Sequence, residues 1–205
     1  MIMLVLLKQG SVVMFGWLKR KHSTGHVPTT SLKGREVGLT ERLMRAHGEG
    51  QEIARLRRAL ATLGDVSSIF DKGEERDFVI CGQAAAKVVK TVSRSFVSEH
   101  PDDEDDYRFT AGVWSLALAN QISYRVGAPF EEAGFVACVE LLGLSATSEF
   151  DVYIKGYNAA TQSGRIVEVI SKTFLLWLNE PSTENFRRMT ELFKLTLDYV
   201  KEIEN

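Results

Sequence analysis

The chain has 205 residues, 44% of them hydrophobic and 25% charged, with a formal net charge of −2. That length and balance fit one sizeable hydrophobic core and exclude a chain disordered throughout. Four prolines, at 28, 101, 129 and 181, are too few turn signals for an all-β protein of this size.

The charge is unevenly spread. Residues 15–58 carry ten basic and four acidic residues, a net of +6, whereas residues 59–205 carry fourteen basic and twenty-three acidic, a net of −9. A basic head on an acidic body admits an anionic lipid, a nucleic acid or an acidic partner. Solvation of both, or attraction between them, needs no partner and is the simpler account.

At the start of the chain, IMLVLL (residues 2–7) and the run from Val12 to Leu18 fall far short of the ~20 apolar residues of a spanning helix. Lys19, Arg20 and Lys21 follow the apolar run, whereas a secretion signal places its charges before it. In a bacterial message the codons of Lys8, Gln9 and Gly10 form a purine-rich tract just upstream of Met14. The expectation is a natural start at Met14, which an intact-mass measurement of the native protein tests. Phe15 and Trp17 then suit a lipid interface, and Lys19, Arg20 and Lys21 suit anionic headgroups, for weak and reversible membrane contact. The alternative is a solvated basic tail. Residues 23–38 are rich in Ser, Thr and Gly and read as a linker. Residues 1–37 are thus expected to be leader and flexible basic arm, and residues 38–205 a single helical domain.

From about Leu39 onward the spacing is helical. A first helix over TERLMRAH is expected to end at Gly48 and Gly50. A second begins near Gln51, where Ile53, Leu56, Leu60 and Leu63 form a narrow apolar seam suited to a partner or a second copy of the chain. A third, over about 75–98, puts Phe78, Cys81, Ala85, Val88, Val92 and Phe96 on one face and Lys87, Lys90 and Arg94 on another. Three basic residues on an acidic body read as a solvated face, because nucleic-acid affinity needs many phosphate contacts. The acidic run 102–106 suits the positive end of the next helix's dipole and lacks the spacing and glycine of a calcium loop.

The fourth helix, AGVWSLALANQISYRVG, and the fifth, PFEEAGFVACVELLGL, are apolar on several sides and are expected inside. A sixth stretch, from about Ser148 to Asn179, is expected to break near Gly156 or Gly164. The last helix follows Pro181, with Phe186, Met189, Phe193, Leu197 and Val200 as its core face. The expected fold is all-α: an irregular bundle of six or seven helices behind a flexible basic N-terminal arm.

Signatures of catalysis are missing: the chain holds no G-x-S-x-G, no P-loop and no H-E-x-x-H. Its histidines, at 22, 26, 47 and 100, have no Glu-x-x-His pairing. Cys81 and Cys138 sit singly in apolar runs and read as buried free thiols in a reducing compartment, with no zinc site. No metal or cofactor is expected. Two polar features remain. Glu140 stands in VACVELLGL, and if the fourth and fifth helices pack together it meets Asn120, Tyr124 or Arg125. That grouping reads as a ligand pocket holding a carboxylate of raised pKa, as a buried structural pair, or as a glutamate at a gap in the packing that reaches water. YIKGYNAATQSGR sets Tyr153, Tyr157 and Asn158 beside two glycines, which reads as a kink, a plain loop or a surface for a protein partner.

The first functional reading is a non-catalytic helical interaction protein of the bacterial cytoplasm: an adaptor, an inhibitor of the immunity type, or a regulator. Its partner is another protein or a second copy, and nucleic acid is disfavoured. The second is a small-ligand binder or enzyme using the pocket between the fourth and fifth helices. A third is a peripheral membrane protein tethered by its basic N-terminus.

Overall fold

The computed structural model describes residues 32–70, 76–97, 104–162 and 165–204, with side chains described within these from His47 to Val200 and at Glu202. Phe15, Trp17, Lys19, Arg20 and Lys21, the start at Met14 and most of the expected arm lie outside the described residues. The described chain is all-helical, with eight helices and no strand. They are α1 (Leu32–Ala61), α2 (Ser67–Phe70), α3 (Asp77–Val97), α4 (Glu104–Val126), α5 (Phe130–Leu142), α6 (Ala146–Gln162), α7 (Ile166–Asn179) and α8 (Thr183–Glu204). None is long and apolar enough to cross a membrane.

The bundle is built around α4. Glu104, Asp105 and Asp106 occupy its first turn, where their charge meets the partial positive charge of the unbonded backbone N–H groups. From Thr110 to Ala119 every residue is buried. Such a run requires neighbours on all sides, and α4 packs against α1, α3, α5, α6, α7 and α8.

The tightest packing joins α3, α4 and α5. It depends on small side chains. The buried face of α5 consists of Ala133, Gly134, Ala137 and Cys138. Opposite it, a Cβ placed on Gly82 of α3 would lie 2.6 Å from both the Ala133 carbonyl oxygen and the Val136 Cβ. Only glycine permits that approach. The apolar surround of α5 suggested a helix buried on every side, but the structure buries only this small-residue face and leaves Glu131, Glu132, Phe135 and Glu140 exposed.

At the other side of α4, the Phe193 ring of α8 lies 5.3 Å from Trp114, 5.8 Å from Phe96 and 6.3 Å from Tyr107. This cluster ties α3, α4 and α8 together. Trp177 meets Phe186 edge-on at 6.0 Å and closes the α7–α8 hairpin.

Four expectations change. Helix α1 runs unbroken through Gly48 and Gly50, because each glycine weakens a helix by only ~1 kcal/mol and the packed C-terminal half holds it. The Ile53–Leu63 seam packs inside the chain: Leu56 and Leu60 are buried in the core, with Ile53 and Leu63 half-buried against it. Of the two break points expected, the one near Gly164 stands, since α6 ends at Gln162 and α7 begins at Ile166, whereas α6 continues through Gly156, where a Cβ would come within 2.5 Å of the Phe109 ring. That glycine is a seat for an aromatic ring rather than a break, and Tyr153 and Tyr157 beside it are buried while Asn158 is exposed. Finally, a one-turn helix, α2, adds to the count. The Asp65 carboxylate accepts from Ser67 N and Oγ, each at 2.9 Å, and the Asp65 carbonyl accepts from Lys87 Nζ at 2.7 Å. One cation of the expected solvated stripe thus helps to fix the turn.

Candidate functional site

The four polar residues expected to form one pocket are directed to three places. The Asn120 Nδ2 donates to the Tyr157 hydroxyl at 3.0 Å, joining α4 to α6 beneath the Phe130 ring, which lies 5.6 Å from that of Tyr157. Burial pushes the Tyr157 phenol upward. Arg125, in the last turn of α4, donates to Glu52 of α1 at 3.3 Å, and Glu52 also pairs with Arg55 at 3.1 Å. Tyr124 is 86% exposed. Glu140 lies on the outer face of α5. The expected buried carboxylate is therefore a solvated one, because α5 turns its small residues inward and its glutamates outward.

Tyr124 and Arg125 do line a cleft, formed with α1 rather than α5. It has a volume of about 460 Å³ and is bounded by Gly48, Glu49, Gln51, Glu52, Tyr124, Arg125 and Gly127. Gly127 ends α4 with φ +76°, a left-handed conformation that favours glycine. The Glu49 carboxylate lies over it, with Oε1 2.9 Å from where a Cβ would stand. The cleft is open to solvent on the side of Tyr124, and its Glu52 charge is already met by two arginines.

A third polar group was not visible in the sequence. Arg108, in the second turn of α4, donates through Nη2 to Glu149 Oε2 and Ser145 Oγ, each at 2.8 Å, and through Nη1 to the Leu142 carbonyl at 3.4 Å. The Tyr153 hydroxyl donates to the same Glu149 oxygen. The hydroxyl and the guanidinium hold the Glu149 carboxyl below the usual carboxylate range. Burial, then the neighbouring carboxylate, drives the Tyr153 phenol upward. Arg108 thereby fastens the end of α5 and the start of α6 to α4. Nothing in the sequence around Arg108 marks partners 34 to 41 residues away.

These groups are poor candidates for acid–base or nucleophilic work near neutral pH. The Tyr153 and Tyr157 phenols are pushed up, and burial raises both thiols, Cys81 and Cys138, to about 12, far from the thiolate form that reacts. Among the described residues no three His, Cys, Asp or Glu side chains are placed to hold a metal ion.

The surface shows a different kind of feature. Eight large hydrophobic residues stand exposed among those described, and four of them lie on the α7–α8 hairpin: Val169 at 44%, Leu176 at 55%, Leu195 at 65% and Tyr199 at 50%. Scattered exposed apolar residues are normal, but half of them on two adjoining helices is a concentration. No protein-family model, curated protein or solved structure matches the chain.

Proposed function

We propose that the chain is a non-catalytic interaction protein, an adaptor, inhibitor or regulator, that binds a protein partner through the α7–α8 hairpin. The observation that carries this reading is the concentration of exposed apolar side chains there: Val169, Leu176, Leu195 and Tyr199. Removing such side chains from water is the usual source of affinity between proteins, with aromatic residues prominent at the centre of contact. The proposed setting is the cytoplasm, supported by the two free, buried cysteines, which suit a reducing compartment.

The test is affinity capture from a lysate of the source cells, with the full chain and with a variant carrying Leu176→Glu and Leu195→Glu. Both positions are exposed, so the variant is expected to fold, and circular dichroism checks that. A partner retained by the wild type and lost by the variant supports the reading. A partner held equally by both, or none at all, overturns the hairpin as the binding face.

A second reading, a small-ligand binder, is favoured by the α1–α4 cleft with Tyr124 and Arg125 on its wall. It is the weaker of the two, because Arg125 and Glu52 already neutralise each other and Asn120 and Glu140 lie elsewhere. Ligand-induced stabilisation that Tyr124→Ala abolishes, found in a metabolite screen, would favour it.

A further inference from the structure

Helix α8 carries two seams. One is the core face, with Met189, Phe193 and Leu197 buried. The other, roughly a third of a turn away at 100° per residue, is Arg188, Leu192, Leu195, Tyr199 and Glu202. Its steps of four and three residues are those of a coiled-coil seam, the pattern that keeps one stripe facing a partner helix. Within the chain this second seam is largely uncovered: Leu195 and Tyr199 are exposed, Leu192 is half-buried, and Arg188 and Glu202 are exposed at the two ends.

The order of charges along the seam selects its occupant. A parallel second copy would set Arg188 against Arg188 and Glu202 against Glu202, which is repulsive at both ends. An antiparallel second copy sets Arg188 against Glu202 at both ends at once. A two-fold axis produces that duplication, because in a symmetric contact each pairing occurs twice. Arg188 and Glu202 are each seven residues from Leu195, so the axis passes near Leu195 and gathers the apolar residues of both copies about it. Arg188 is available for the exchange, since among the described residues it meets Glu184 through Nε alone, at 3.2 Å.

We infer that the chain forms an antiparallel homodimer through this second seam of α8, with reciprocal Arg188–Glu202 pairs flanking a centre of Leu192, Leu195 and Tyr199. This rests on the reading of the hairpin as a binding face and identifies what covers its α8 half.

Sedimentation of the full chain over a range of concentrations tests it. The wild type is expected to pass from monomer to dimer, and Leu195→Glu to remain monomeric. Arg188→Glu and Glu202→Arg, each creating like-charge contacts, are expected to weaken the dimer about tenfold or more, and the double variant R188E/E202R to restore it. The wild type remaining monomeric at high micromolar concentration overturns the inference, as does a dimer indifferent to Leu195→Glu and to the charge swap. Should Leu195→Glu unfold the chain, Leu195→Cys replaces it. A short bismaleimide is then expected to join two copies at residue 195 but not at a control cysteine replacing Glu132, and equal cross-linking at both positions overturns the inference. If the wild type is monomeric and the capture experiment still loses a different protein with the hairpin variant, the dimer is wrong and the hairpin reading stands. If neither association is found, both fall.

Discussion

Two glycines in otherwise similar helical settings have opposite consequences. At Gly50 a Cβ would meet nothing within 4 Å, so Gly50→Ala adds no contact and reduces the freedom of the unfolded chain. It should stabilise the protein by ~0.5–1 kcal/mol, seen as a rise in the urea midpoint. At Gly82 the new methyl would meet the Ala133 backbone oxygen at 2.6 Å, which cannot move aside as a side-chain tip can. Gly82→Ala should destabilise by ~1–3 kcal/mol, measured in the same way. The sequence could not separate these cases, since glycine in a helical pattern reads first as a weak point. What decides is the neighbour on another helix: none at Gly50, a backbone at Gly82, and a Phe109 ring at Gly156. Glu140 was misleading for a related reason. Its sequence neighbours are apolar, but burial on α5 follows residue size rather than hydrophobicity.

Among the elements, the α5–α6 corner is held by the Arg108–Glu149–Tyr153 group, and its contribution depends on pH in a definite direction. The Glu149 carboxyl titrates below its ordinary range in the folded state. Its ionised form therefore favours folding at pH values above the ordinary carboxylate value of ~4.3, and that contribution is lost as pH falls through the lowered folded value. The melting temperature of Glu149→Gln should fall below that of the wild type at pH 7, and the two should converge in acid. A gap that persists unchanged in acid would show that the carboxylate's charge is not what fastens the corner. Periodicity revealed most of these helices, because apolar residues recur every three or four positions on whichever face is buried. The corner stayed hidden because its partners come from three separate segments. On α8 the core seam was legible, whereas Leu195 and Tyr199 were lost among charged neighbours.

For the molecule as a whole, Phe193 is the side chain on which the hairpin's attachment most depends. It is fully buried and touches rings from α3 and α4. Phe193→Ala should cost ~3–5 kcal/mol in equilibrium unfolding, with the denaturant slope unchanged if the truncated protein still unfolds as one unit. The all-helical class was legible at this scale from the scarcity of proline and the length of the periodic runs. The arrangement was not, because which helix occupies the centre depends on the fit between α4 and its six neighbours.

The close contact among α3, α4 and α5 also bears on the order of events during folding. These three helices are consecutive in the chain, so their contacts close short loops, and contacts of that kind form quickly. They also emerge from the ribosome before α7 and α8 do. A nascent chain can thus settle its small-residue interface while the place of Phe193 beside Trp114 is still empty, and the hairpin docks onto a surface already in place. Kinetics carry the signature: Ala137→Gly within the early group should slow refolding, whereas Leu178→Ala in the hairpin should chiefly speed unfolding.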